Sequence, residues 1–273
     1  MVPERELGER VSRGYNDAMN PLPPMALARG SVAPGLAGLL LAAFLLDAQT
    51  ALACGASPGG PMGHTMCGLD DAPLEHRVRA GTSYAFSDTR LSFDGARFDM
   101  QRHLTVATLD YRVDKRNALT AGAGGFIEGA LVGPFASNMG GGPAAMAGYS
   151  SSLVKERERV PFLVLTMAMS FLHSNTRPTE LRAERAGFTA LDFRGGLLLG
   201  KTFFEHLTIY AAGRLFGGPA FWRIDGQGAV GTDIYHYQLG GGLIARIPGG
   251  LDVFAEGIGL GERGLVAGLG ITP

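Results

Sequence analysis

Charged residues are scarce in this chain of 273 residues. They make up 18% of the sequence, against about 25% in ordinary soluble domains. The two signs nearly cancel, and the formal net charge of -1 excludes the basic surface expected of a nucleic-acid-binding protein. Two cysteines are too few for a disulfide scaffold or a four-cysteine zinc site. Beyond residue 70 no apolar run reaches the roughly 20 residues that a membrane-spanning helix needs.

Apolar residues and glycine are abundant instead. Hydrophobic residues make up 46% of the chain and 42 residues are glycine, so the chain is too apolar to be intrinsically disordered. The glycines follow no Gly-X-Y period, which excludes collagen. The class that remains is an apolar, glycine-rich, weakly charged protein.

The N-terminal region has the layout of a secretory signal peptide. Residues 25–53 contain Arg29, an apolar run over 36–46, and small residues at Ala51 and Ala53, which together predict cleavage after Ala53. The alternative is a buried helix of a soluble domain. Residues 1–24 are polar and are interpreted as a long n-region or an early start codon. We therefore expect residues 1–53 to be an N-terminal extension plus signal peptide, and residues 54–75 to be a periplasmic segment.

The two cysteines lie directly after the predicted cleavage site. A disulfide between Cys54 and Cys67 would persist in an exported chain and, in the chain-entropy model, would stabilise it by about 3 kcal/mol. The alternative is acylation of Cys54, since residues 51–54 partly match a lipoprotein signal. His64 and the two cysteines lack a fourth ligand, so we expect no metal.

From residue 76 onward the sequence alternates between apolar and polar residues. In 103–113, for example, Leu109, Tyr111 and Val113 share one parity while Asp110 and Arg112 share the other, as on the two faces of a strand. Ten such segments occur, near 76–87, 101–113, 118–132, 142–154, 160–173, 188–202, 206–217, 232–247, 250–260 and 263–272. Most are longer than the usual strand of 5–6 residues and suit a tilted membrane strand. The pattern predicts an all-β fold, an up-and-down antiparallel transmembrane β-barrel of about ten strands over residues 76–273.

The connections alternate in length. Short turns are expected at 114–117, 155–159, 203–205 and 248–249, and long loops at 87–100, 133–141, 174–187 and 218–231, with a brief connection at 261–262. Short turns at one end and long loops at the other are typical of outer-membrane barrels. An even strand count places both ends of the barrel on the periplasmic side.

With this alternation and loop pattern, residues 76–273 resemble the small outer-membrane β-barrel proteins of Gram-negative bacteria. The resemblance implies location in the outer membrane, outer-membrane lipid as a partner, and a monomer. Such barrels usually end in an aromatic residue, whereas this chain ends Ile271-Thr272-Pro273. The competing interpretation is a secreted soluble β-sandwich, which alternates as well.

Eleven polar positions are predicted to line the lumen. Both signs are present, which favours ion pairs that fill the barrel, because unpaired buried charges are costly. The alternative is a narrow, porin-like channel for small solutes. Gly196 lies on the same face, and we expect it to tolerate Ser. The predicted lumen-lining residues are Arg79, Asp110, Arg112, Glu128, Asp192, Arg194, Arg214, His236, Arg246, Asp252 and Glu256.

No convincing catalytic constellation is found. His173-Ser174-Asn175 is similar to the His-x-Ser-Asn pattern of outer-membrane lipid A deacylases but lacks the spacer, so His and Ser would point to opposite faces. Asp233 and His236 are three residues apart, which also places them on opposite faces of a strand. They therefore do not suit the Asp/His couple of an omptin protease. The glycines of 122–125 and 240–242 precede no Lys-Ser/Thr and are interpreted as close-packed wall. We expect no enzyme activity and no cofactor.

The loop at 218–231 is the remaining candidate for function. It holds Phe221, Trp222 and Arg223, which are predicted to contact an unknown extracellular ligand; the alternative places Trp222 in the interfacial aromatic girdle. The sequence thus predicts a non-enzymatic outer-membrane barrel with a structural or surface-binding role. A narrow solute channel is the alternative, and a membrane-embedded hydrolase is a remote one.

Overall fold

Long antiparallel strands dominate the computed structural model. It describes residues 56–60, 62–65, 78–133, 136–175, 187–204, 206–224 and 227–272. The predicted signal peptide and the proposed Cys54–Cys67 disulfide lie outside these residues. The described part of the chain contains no apolar helix of membrane-spanning length.

Ten strands form the barrel, which confirms the predicted fold class. Each pairs with its neighbours along the chain, and the ring closes where Ala80 on the first strand pairs with Ile271 on the last. Closure leaves no free edge, as a membrane requires. The strands are β1 Val78–Phe93, β2 Ala96–Arg112, β3 Asn117–Val132, β4 Gly142–Val154, β5 Phe162–Asn175, β6 Gly187–Phe203, β7 Leu207–Gly217, β8 Tyr237–Ile247, β9 Leu251–Gly261 and β10 Arg263–Ile271.

The apolar residues face outward and the polar residues face the lumen. On β1, Arg79, Ser83 and Ser87 are buried, whereas Tyr84 between them is 45% exposed. The outer surface carries large exposed apolar side chains on all ten strands, such as Leu197 and Leu215. A soluble sandwich would bury these residues, so the distribution is that of a barrel surrounded by lipid.

The barrel has a narrower upper tier at the end away from the termini. Strands β1–β6 extend past the ends of β7–β10, and a hairpin inserted after β7 takes the place of the shorter strands. Its strands are Ala220–Ile224 and Gln227–Asp233. The first pairs with β6 and the second with β1, so the upper tier is a closed ring of eight strands. The short strand Ala136–Met139 pairs with the top of β3.

Two boundaries differ from the sequence prediction. Residues 87–100 do not form a long loop, because β1 and β2 continue to a two-residue turn at Asp94-Gly95. Both turn residues have positive φ, 48° and 84°, as a type I′ turn requires. The strand expected at 232–247 begins only at Tyr237, because residues 227–233 belong to the inserted hairpin.

A short N-terminal hairpin pairs Ala56–Gly60 with Met62–Thr65. Its first strand contacts β1, β2, β9 and β10, and its second contacts β3, β4 and β5. These seven strands make up most of the ring, so one short hairpin can contact all of them only from within the barrel or across its mouth.

Candidate functional site in the barrel interior

The lower part of the lumen wall carries an ion-pair layer centred on Arg79. This side chain extends from the beginning of β1 toward β9 and β2. Arg79 Nη2 lies 2.6 Å from Asp252 Oδ1, and Arg79 Nη1 lies 2.9 Å from Asp110 Oδ2. All three side chains are buried. A guanidinium held by two carboxylates in this way is well compensated for its loss of water.

A second layer lies nearer the middle of the barrel. Arg214 on β7 and Glu256 on β9 form a two-pronged ion pair, with Arg214 Nη2 2.7 Å from Glu256 Oε2. Tyr210 donates a hydrogen bond to the same carboxylate at 2.8 Å. Gly242 gives the tyrosine ring its space, since a Cβ there would lie 2.6 Å from Tyr210 Cζ. This explains one of the glycines of 240–242 as close-packed wall.

A third layer surrounds Glu262, which lies in the tight turn between β9 and β10 and points inward. Its side chain is fully buried. It accepts hydrogen bonds from Arg102, from Arg194 at 2.8 Å, and from Gln238. Burial by itself would raise the pKa of Glu262, but the two guanidiniums outweigh it and hold the pKa below its ordinary value. Arg194 also pairs with Asp192 on its own strand.

Asp233 lies at the end of the inserted hairpin, next to the third layer. Unlike Glu262, it forms no salt bridge with an arginine of the described residues. It accepts a hydrogen bond of 3.0 Å from Thr89. Burial raises the pKa of Asp233 to about 6; Arg102 opposes this rise, whereas Glu262 and Asp192 add to it. The foot of the hairpin therefore carries a carboxyl group whose pKa lies well above that of an exposed aspartate.

Above these layers the upper tier is filled by apolar side chains, here called the apolar plug. Trp222, only 2% exposed, packs edge-on against Phe98 and close to Phe93, with ring centroids 5.2 Å and 5.5 Å apart. The plug consists of Leu91, Phe93, Phe98, Met100, Phe126, Leu131, Met139, Ala144, Leu172, Phe188, Ala220 and Trp222.

The predicted lumen residues divide into three groups. Eight are buried in the interior: Arg79, Asp110, Arg112, Asp192, Arg194, Arg214, Asp252 and Glu256. Arg246 is half-buried and His236 is exposed at the rim. Glu128 does not line the lumen and is exposed, because a bulge at Ile127 reverses the alternation of β3: Phe126 pairs with Leu104, but Glu128 pairs with His103.

Four residues of the ion-pair layers were not predicted from the sequence. Arg102 shares the parity of Asp110 and Arg112, so the same pattern could have found it. Tyr210 and Gln238 lie on the polar parity of their strands and could also have been included. Glu262 has no such signal because it lies in a turn.

The loop residues proposed to contact a ligand do not act as one patch. Phe221 is 43% exposed and Arg223 is exposed, whereas Trp222 points into the apolar plug. The inserted hairpin is a strand pair, and alternation turns its central residue inward. Trp222 is therefore neither a surface contact nor a girdle residue.

The possible catalytic pairs are separated. Ser174 is buried and donates a 2.6 Å hydrogen bond to the Gly140 carbonyl oxygen, while His173 on the other face lies 2.9 Å from Thr189 Oγ1. His236 Nδ1 lies 3.2 Å from the Phe216 carbonyl oxygen, whereas Asp233 accepts a hydrogen bond from Thr89. The two side chains therefore have different partners and do not form a couple.

A closed antiparallel ring with a polar interior and a lipid-facing apolar belt characterises the chain. This chain has the fold of an outer-membrane β-barrel. It is similar in structure to the translocator domain of the autotransporter NalP from Neisseria meningitidis, at 13% identity over 76% of this chain and 91% of that chain, with a TM-score of 0.45.

Two further solved structures are also similar to this chain. The outer membrane protease OmpT from Escherichia coli is 9% identical over 75% of this chain and all of that chain, with a TM-score of 0.48. The toluene transporter TodX from Pseudomonas putida is 12% identical over 81% and 74% of the two chains, with a TM-score of 0.32. No protein-family model and no curated protein matches the sequence.

Proposed function

We propose that this protein is a closed, non-enzymatic barrel that presents its upper tier to a partner outside the cell. The observation that carries the proposal is the filling of the interior. Two ion-pair layers line the wall of the ten-strand part, a third joins distant strands through Glu262, and the apolar plug occupies the eight-strand part. An open pore needs a water-filled path, whereas these side chains pack against one another.

The outer face of the upper tier supports a binding role. On β1 the lipid-facing side chains give way to Asp88, Arg90 and Ser92, and on β2 to Asp99 and Arg97 beyond the belt. Six residues of β1, 88–93, extend above this boundary, a path of about 20 Å along the strand. A rigid polar projection of this kind suits contact with a ligand or with another cell surface.

Conductance in planar bilayers tests the closed lumen. We expect the purified protein to give no steady single-channel current, and Trp222→Ala to give intermittent current because it removes the centre of the apolar plug. Phe221→Ala, which truncates the outward-facing neighbour, is the matched control and should stay silent. A regular current step from the unchanged protein would overturn the proposal in favour of a narrow solute channel.

A further inference from the structure

The inserted hairpin is attached to the rest of the barrel by short pairings. Its first strand pairs with β6 over residues 220–223, and its second strand pairs with β1 over residues 231–233. By comparison, β1 and β2 pair along the whole length of β1. Segments that few interactions hold in place open at a lower free-energy cost than the long strands around them. The hairpin therefore depends on Trp222, which lies in the apolar plug, and on the contacts of its foot.

The foot of the hairpin adds a third carboxylate to a layer that contains two guanidiniums. Asp233 interacts electrostatically with all four charged side chains of the third layer, which are Arg102 on β2, Asp192 and Arg194 on β6, and Glu262 in the turn between β9 and β10. The two guanidiniums already form salt bridges with Glu262 and Asp192. When every group is ionised, three negative charges therefore face two positive charges, and the uncompensated charge is that of Asp233.

We propose that the inserted hairpin is a proton-controlled cover of the apolar plug, held in place while Asp233 is protonated and released when Asp233 ionises. An uncompensated charge that is partly removed from water is costly, and release returns the Asp233 carboxylate to water. Trp222 leaves the plug with the hairpin, so release uncovers Phe93 and Phe98. The inference rests on the proposed function, because it gives the binding surface of the upper tier two forms. The two lower ion-pair layers contain no residue of the hairpin and stay in place in both forms.

The direction of the pH effect follows from the two environments of Asp233. With the hairpin in place, burial raises the pKa of Asp233 to about 6, whereas a carboxyl group released into water has the ordinary aspartate pKa of about 3.9. Holding the hairpin in place therefore binds a proton. The stabilisation is complete below about pH 4 and is lost as the pH rises through 6. From these two pKa values, the equilibrium constant for release is about 25-fold larger at pH 7.5 than at pH 4.5.

Hydrogen exchange of the hairpin amides measures release. The barrel is reconstituted in phosphatidylcholine nanodiscs, exchange is followed by mass spectrometry, and the rates are corrected for the intrinsic pH dependence of amide exchange. We expect the protection of the amides of 220–224 and 227–233 to fall by about 25-fold between pH 4.5 and pH 7.5, while the amides of β3 keep their protection. Equal protection of the hairpin at both pH values, or an equal fall in β3, would overturn the proposal.

Asp233→Asn should remove the fall in protection, because the amide is uncharged at both pH values. Asp94→Asn is the matched control: it makes the same replacement in the exposed turn between β1 and β2, where Asn-Gly suits the turn as well as Asp-Gly, and it should keep the fall. His236→Gln replaces the other ionisable side chain near the foot of the hairpin and should keep the fall as well.

Heat-dependent gel mobility verifies that all three variants are folded. A fall that persists in Asp233→Asn, or one that disappears in His236→Gln, would overturn the proposal. The exchange of the hairpin amides is independent of whether the lumen conducts, so a current step from the unchanged protein would refute the closed lumen alone.

Discussion

Replacing Glu262 with Gln should destabilise the barrel strongly, although Glu262 lies in a turn. Its carboxylate is fully buried and compensates the guanidiniums of Arg102 and Arg194. After the replacement Arg194 keeps Asp192, and Arg102 keeps a 2.7 Å hydrogen bond to Ser87. Removing one partner of a buried ion pair costs about 3–5 kcal/mol. Because the Gln amide oxygen still accepts one hydrogen bond, we expect about 3 kcal/mol.

Urea unfolding of the barrel in phosphatidylcholine vesicles, followed by the fluorescence of its single tryptophan, measures this change. Glu158→Gln is the control: it removes the same charge from an exposed position in the short turn after β4 and should change the free energy of unfolding by less than about 0.5 kcal/mol. If Glu262→Gln also fell within about 1 kcal/mol of the unchanged protein, water would have to reach the third layer, and the closed lumen would be refuted.

Three other predictions follow from different parts of the chain. The pKa of Asp233 is raised to about 6 in the folded state, so its contribution to stability is present near pH 4 and is lost as pH rises through 6, by up to about 3 kcal/mol. Asp233→Asn should remove this pH dependence of the free energy of unfolding between pH 4 and 7. An unchanged pH dependence would contradict the burial of Asp233. Leu197→Arg should cost about 2–4 kcal/mol in bilayers because it places a charge on the lipid-facing surface, and a cysteine at 197, but not one at 194, should be quenched by bilayer-resident spin labels. The sequence predicts a disulfide between Cys54 and Cys67 in the exported chain, so we expect thiol labelling of the mature chain only after reduction; acyl chains on Cys54 would contradict this.

Alternation alone was enough to predict the ten strands and most of the interior, because period two is imposed on every strand by its geometry. Eight of the eleven predicted lumen residues are buried inside the barrel. The Asp94-Gly95 turn could have been found as well, since Asp-Gly between alternating segments is a strong hairpin signal.

The failures have local causes that a periodic pattern does not contain. One extra residue at Ile127 moves Glu128 to the outside, and Glu262 enters the interior from a turn. Gly196 lies on the lumen face, where Ser was expected to be mild. A Cβ there, however, would lie 2.6 Å from Arg214 Cγ and from the Gly213 carbonyl oxygen, so backbone must move and Gly196→Ser should be destabilising.

The change of interior chemistry along the barrel follows from its change of width. A ring of eight strands is just wide enough for side chains to fill, so the Phe, Trp and Met side chains of the apolar plug meet at the centre of the upper tier. A ring of ten strands is wider, and compact apolar side chains from opposite walls would leave a gap. Arg102 and Arg194, from distant strands, bridge this gap through Glu262, whereas Arg79 bridges neighbouring strands along the wall. Each of these arginines needs carboxylates because an unpaired buried charge is costly. The inserted hairpin thus shapes the upper tier in two ways: it narrows the ring, and through Trp222 it supplies the centre of the apolar plug.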